Sequence, residues 1–164
     1  MIEPTNQTPT LELIDHIQIR YHDTHRRELP NLISLARIIE TDHATDPNSP
    51  HGLTDALEAM SADLETHMRD EEESVFAVFQ SGKSSPVGMV ITELREAHSH
   101  QEAALNRIAA ITHGFRLPHH SGHRWRRLYA GLGKLAEDLD EHMYLENELL
   151  FPRVTQMGSK PLSI

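Results

Sequence analysis

Cysteine is absent from the 164-residue sequence, which excludes disulfides, thiolate nucleophiles, zinc fingers and cysteine-ligated iron–sulfur clusters. Redox chemistry, if any, must come from another group, and a metal held by nitrogen and oxygen donors is the candidate. No apolar run approaches the roughly 20 residues that cross a bilayer. The polar opening MIEPTNQTPT also lacks the basic-then-apolar order of a secretory signal, so the expectation is a soluble cytoplasmic protein. Positive charge is scarce: 15 Lys and Arg stand against 25 Asp and Glu, a formal charge of -10. With no basic stripe to offset that charge, a phosphate backbone would be repelled and nucleic acid is not an expected partner. Alternating apolar and polar residues persist nowhere long enough for a strand. Histidine, by contrast, is abundant, with 13 residues.

Apolar residues step by three and four, the seam of helices packed in a bundle. In a second helix the seam runs through Leu53, Leu57, Met60, Leu64 and later Val78; in a third through Val87, Ile91, Leu94, Leu105 and Ile108; in a fourth through Trp125, Leu128, Leu132, Leu135 and Leu139. A first helix, from 11 to about 43, is less regular, but Leu29, Leu32, Ile33 and Ala36 mark its buried face. Pro30 lies inside it and predicts a bend rather than a break. Turn-rich links at 45–52, 81–86 and 114–122 are short and imply antiparallel neighbours. The expected architecture is all-α, an antiparallel up-down-up-down four-helix bundle over 11–157, with a flexible N-terminal tail at 1–10 and a C-terminal tail at 158–164.

Continuing these seams places polar residues in core positions. Past Leu64 come His67 and Glu71; past Leu139 come His142 and Glu146; past Leu94 comes His98; and His22 lies one heptad before Leu29. Six buried polar groups at roughly 1–3 kcal/mol each need a common partner, and a metal pair supplies one. A histidine and an acid four apart share one helix face, so each His67/Glu71-type pair can give a nitrogen and an oxygen to one site, a mixed set that suits iron. The spacing alone decides little, since His51/Asp55 and His98/Glu102 share it. An internal repeat decides more: HMRDEEESVF at 67–76 matches HMYLENELLF at 142–151 at His, Met, two Glu and the closing Phe. The lone histidines keep the same offset, His22 preceding His67 by 45 residues and His98 preceding His142 by 44. The ferritin-type Glu-x-x-His pair occurs once, as Glu40/His43, which is insufficient for that site. Six donors exceed one tetrahedral zinc site, although a zinc pair remains compatible with the donor types.

The segments IDHIQIRYHDTHRRELPNLI (14–33), GLTDALEAM (52–60), HMRDEE (67–72) and WRRLYAGL through HMYLENELLFPR (125–153) resemble the hemerythrin-like (HHE) family, and within it the C-terminal di-iron domain of RIC/YtfE-type iron–sulfur cluster repair proteins. The resemblance implies an oxo- and carboxylate-bridged pair of iron ions with His22, His67, Glu71, His98, His142 and Glu146 as ligands and the two glutamates bridging. It further implies a role in nitrosative and oxidative stress, binding nitric oxide or supplying iron for cluster repair. Such relatives carry a separate segment with a cysteine pair, so a domain without cysteine is expected to act without those thiols. Oxygen-carrying hemerythrins have a further histidine where Glu102 stands here, which turns the expectation from reversible carriage toward reactivity.

Other residues have plainer expectations. Glu102 reads as a solvated or outer acid, His25 as a reserve ligand one turn from His22, and Asp15 and Asp63 as candidates to orient ligand histidines. His16, His43, His51, His100, His113, His119, His120 and His123 read as surface or loop groups. The HHSGH cluster at 119–123 contains no acid and reads as solvated. Tyr21, Phe76 and Phe151 read as packing beside the ligand turns, and Trp125 as core. The expected partners are a diatomic ligand, nitric oxide or dioxygen, and damaged iron–sulfur proteins, with the chain a monomer or a homodimer. Alternatives are a dioxygen or redox sensor or carrier, a di-iron nitric oxide reductase or peroxidase, and a purely structural bundle.

Overall fold

The computed structural model describes residues 3–83 and 86–158, so the ends of the sequence, including most of the expected C-terminal tail, and part of the 81–86 link lie outside the described residues. The first helix consists of Thr10–His16, a π-helical turn at Ile17–His22, and Asp23–Asp42. Its backbone stays right-handed through both joins, at Ile17 (φ -61°, ψ -44°) and Asp23 (φ -65°, ψ -37°). The second helix is built the same way from Leu53–Glu71, a π turn at Glu72–Phe76 and Ala77–Ser81. The third is the uninterrupted Gly88–Ile111, and the fourth combines His123–Tyr144, a π turn at Leu145–Leu150 and Phe151–Gly158. No strand occurs among the described residues. The first helix runs through Pro30 without a break, the ring being exposed.

Two apolar clusters show how the helices run. One joins Leu29 to Ile39 of the first helix with Leu53 to Met68 of the second, Ile108 of the third and Trp125 to Met143 of the fourth. The other joins Leu13 to Tyr21, Val75 to Val78, Val87 to Leu94 and Leu145 to Val154. Ends and beginnings of successive helices therefore meet at both poles, which is the up-down-up-down antiparallel arrangement. Leu53, Leu57, Leu64, Trp125 and Leu128 are fully buried. Each such side chain removed from water stabilises the fold by about 1.5–3 kcal/mol.

Local chemistry fixes the links. Glu40 reaches over the turn to accept hydrogen bonds from the backbone N–H of Gly52 (2.6 Å) and of Thr54 (2.9 Å), and its carboxylate also bonds the Thr54 hydroxyl. It thereby serves N–H groups that the start of the second helix leaves without intrahelical partners. Gly52 at the same turn sits at φ +88°, a conformation that only glycine takes without strain. At the opposite pole Arg153 donates to the carbonyls of Thr8 (2.6 Å) and Asn6 (3.3 Å), tying the N-terminal segment to the fourth helix. No helix among the described residues is long and apolar enough to cross a membrane.

Candidate metal centre

The boundary between the two apolar clusters is polar. His22, His67, Glu71, His98, His142 and Glu146 meet there, and none is more than 3% exposed. Their donor atoms form two groups, His22, Glu71, His142 and Glu146 in one and His67, Glu71, His98 and Glu146 in the other, with both glutamates common to the two. In each histidine Nε2 points inward. His22 Nε2 lies 3.1 Å from His142 Nε2, and His98 Nε2 lies 3.1 Å from His67 Nε2.

Each carboxylate divides its oxygens between the two histidine pairs. Glu71 turns Oε1 to His22 Nε2 (3.2 Å) and Oε2 to His67 Nε2 (3.6 Å). Glu146 turns Oε2 to His142 Nε2 (2.7 Å) and Oε1 to His98 Nε2 (2.8 Å) and His67 Nε2 (3.4 Å). Neither oxygen of Glu71 accepts a well-aligned hydrogen bond, although both are buried. A buried carboxylate without donors is costly unless a cation lies against it, so these residues fit a metal pair. The donor set of imidazole and carboxylate, with no thiolate, suits iron or another first-row divalent ion.

The cluster's electrostatics without a cation follow from crowding four imidazoles and two carboxylates out of water. Burial and the charge of Glu146 push the Glu71 carboxyl well above the usual range. Burial works the same way on Glu146, but the imidazoles of His142 and His22 and a hydrogen bond with Glu71 override it and hold that carboxyl well below the usual range. Burial alone would lower His22, yet the carboxylates of Glu146, Glu71 and Glu72 raise it to about 11. His142, with burial dominant, falls to about 4. The two glutamates, equivalent in the repeat, are thus driven apart, Glu71 toward the protonated and Glu146 toward the ionised form.

The outward nitrogens are held by residues of the same repeat. His22 Nδ1 donates to Glu72 Oε2 (2.7 Å), and His98 Nδ1 donates to Asn147 Oδ1 (2.9 Å). Glu72 and Asn147 each follow the shared glutamate of their helix. Phe76 lies parallel to His22 (centroids 5.4 Å, 14°) as Phe151 does to His98 (5.7 Å, 15°). Fixing Nδ1–H in this way keeps Nε2 of both rings directed inward. Glu72 is itself gripped by Arg26 at 2.8 and 2.9 Å, and Arg26 also holds Glu65. Against the opposing effect of burial, His22 and Arg26 hold the Glu72 carboxyl down at about 2.

The remaining two histidines break the symmetry. His142 packs against both Tyr21 (centroids 5.5 Å) and His25 (5.2 Å), which also touch each other (6.3 Å), and its Nδ1 lies 3.1 Å from His25 Nε2. Burial, with His142 and His22 close by, lowers His25 to about 3, so it is neutral and can accept the Nδ1–H of His142. In the second hairpin the positions matching Tyr21 and His25 are Ala97 and Gln101. A cleft of about 540 Å³ opens there beside His67, Leu94, Ala97 and Gln101. His67 Nδ1 and both amide atoms of Gln101 are buried without a hydrogen-bond partner.

The six residues singled out from the sequence are therefore brought to one place, and others are redistributed. His25 supports His142 instead of joining either donor group. Asp15 and Asp63 do not orient ligand histidines: both are exposed, and Glu72, Asn147 and His25 occupy that role. Glu102 is exposed and belongs to neither donor group. Glu40 of the Glu40/His43 pair caps the second helix. The sequence did carry a signal for Glu72 and Asn147, since the aligned repeat puts a polar residue after each shared glutamate.

Comparison with known proteins places these residues in a family context. The family described as the hemerythrin HHE cation binding domain matches residues 13–154. Proteins named iron–sulfur cluster repair protein YtfE from Salmonella paratyphi B, Salmonella newport and Salmonella heidelberg are each 37% identical over 145 residues, covering 88% of this chain and 66% of the relative. The chain thus spans just under two thirds of the length of these relatives.

Proposed function

Because the chain belongs to the hemerythrin HHE cation binding domain family, we propose that its buried His/Glu cluster holds two iron ions and serves the response to nitrosative and oxidative stress. His22 and His142 would hold one ion, His67 and His98 the other, with Glu71 and Glu146 shared between them. The observation that carries this reading is the division of both carboxylates, each with one oxygen toward each histidine pair. Bound iron would supply a redox-active Lewis acid with affinity for diatomic ligands such as nitric oxide. The protein's own contribution is to keep Nε2 of His22, His98 and His142 aimed inward through Glu72, Asn147 and His25, and to exclude bulk water with Phe76, Phe151 and Tyr21.

The relatives' name, iron–sulfur cluster repair protein, supports extending the reading to binding nitric oxide or supplying iron to damaged iron–sulfur proteins. Two measurements test it. Protein from iron-replete cells should contain two irons per chain with the spectrum of a coupled non-haem pair; one iron per chain, or zinc, would defeat the di-iron reading. Iron-loaded protein should also restore activity to a nitric-oxide-damaged iron–sulfur enzyme. No restoration, in an assay where a full-length relative succeeds, would defeat the repair reading while leaving the metal centre standing.

A further inference from the structure

A second group of potential metal ligands lies at the pole of the bundle where the 45–52 and 114–122 links meet. The HHSGH segment carries no acid of its own, but the fold brings one to it from the other link. Asp46 Oδ2 hydrogen-bonds His120 Nε2 and lies 3.9 Å from His43 Nδ1. The backbone N–H of Asn48 takes the other oxygen, Oδ1, at 2.8 Å, so the carboxylate is fixed with Oδ2 facing the two imidazoles. His51 Nε2 donates to the Asp46 carbonyl at 3.0 Å and steadies the same turn. Beneath the group lies Trp125, fully buried, with its ring 4.6 Å from His43 and 5.8 Å from His120.

The geometry points to a peripheral site for a divalent first-row transition ion, held by His43, Asp46 and His120, which fastens the link after the first helix to the link before the fourth. Two imidazoles and a carboxylate are a donor set that zinc, nickel, copper and ferrous iron all accept, and solvent completes the coordination. The two imidazoles approach Asp46 rather than each other, so closing on one ion requires His43 to move inward. Its side chain is 31% exposed and that of His120 is 51% exposed, which leaves both room to rotate. None of these residues belongs to the buried cluster, and the site does not depend on what that cluster holds.

Trp125 is the sole tryptophan of the chain and therefore a built-in reporter for this pole. The test titrates zinc into the full chain whose buried cluster has first been saturated with iron, following Trp125 emission and calorimetric stoichiometry together. Wild type should take up one zinc beyond the buried complement with a change in Trp125 emission. Asp46→Asn and His120→Ala should each weaken that uptake by about tenfold or more, since removing a direct ligand costs at least what removing an outer partner does. The iron absorption should stay unchanged throughout. Absence of an additional equivalent at micromolar zinc overturns the proposal. So does an additional equivalent that both variants keep with unaltered affinity, because the zinc then sits elsewhere. His120→Ala removes a half-exposed loop side chain, and circular dichroism on both variants checks that the bundle is intact.

Discussion

Glu72 Oε2 lies 2.7 Å from His22 Nδ1 and 2.8 Å from the Arg26 guanidinium, so one carboxylate links a buried imidazole to a cation nearer the surface. Removing it leaves the His22 ring free to turn and its Nδ1–H without an acceptor. Glu72→Ala should therefore lower iron affinity by about 10–100-fold, the usual cost of losing an outer partner of a metal-binding histidine. Glu72→Gln, which can still accept from Nδ1, should fall between the two. Competition with a chelator of known affinity measures this; equal affinities for all three proteins would show that Phe76 alone orients the ring.

The two shared glutamates should separate in the metal-free protein. Glu71 is held protonated by burial and the charge of Glu146, so the neutral amide of Glu71→Gln resembles its resting state and should change stability little. Glu146 is held ionised by the imidazoles of His142 and His22 that face it, the latter cationic, so Glu146→Gln leaves the surrounding histidines without their anion and should cost about 3 kcal/mol or more. Both variants should lose the rise in Tm that metal gives wild type, which by mass action amounts to about 2.7 kcal/mol at a hundredfold excess over Kd. Thermal melts with and without metal read both effects, and equal destabilisation of the two metal-free variants would contradict the assignment.

Asp138 is 8% exposed at its side chain and joins Arg20 (2.8 Å) to Lys134 (2.8 Å). Burial opposes its ionisation, but those two cations hold its carboxyl below the ordinary 3.8. A carboxyl whose folded pKa is depressed contributes stability that is complete above its unfolded pKa and is lost as pH falls through the folded one. Asp138→Asn should therefore be destabilised by about 1–2 kcal/mol at neutral pH, both cations being partly exposed and screened. The gap from wild type should narrow as pH falls below 3.8. Urea titrations across that range would show it, and a gap independent of pH would mean that packing rather than charge is involved.

The convergence of the six candidate residues was legible because two copies of one motif keep their offset, and a buried polar residue on an apolar seam has few explanations. The irregular first helix was legible only in part. Its buried positions run Ile17, Tyr21, His22 and His25, and the π turn at Ile17–His22, which adds a residue to one turn, brings His22 inward beside Tyr21. Such turns flank Glu71 and contain Glu146 as well, and regular 3.6-residue periodicity does not register them. Asp15 and Asp63 were misplaced for a related reason. A one-turn spacing from a ligand places them on the ligand's helix, whereas Glu72 and Asn147 hold imidazoles from a different helix, across the bundle.

Gln101 stands where the repeat would put the counterpart of His25, yet its amide meets neither His67 Nδ1 nor any other described group. It is 3% exposed, so both polar atoms bear the cost of leaving water without compensation. Replacing the amide with an apolar side chain of similar size removes that cost. Gln101→Leu should accordingly stabilise the metal-free protein by on the order of 1 kcal/mol, seen as a higher urea midpoint with unchanged slope. Gln101→His should act differently, offering His67 the imidazole partner that His25 gives His142, and should raise iron affinity rather than apo stability. A lower midpoint for Gln101→Leu would show instead that the amide is hydrogen-bonded through the adjoining cleft, and that His67 draws its orientation from there.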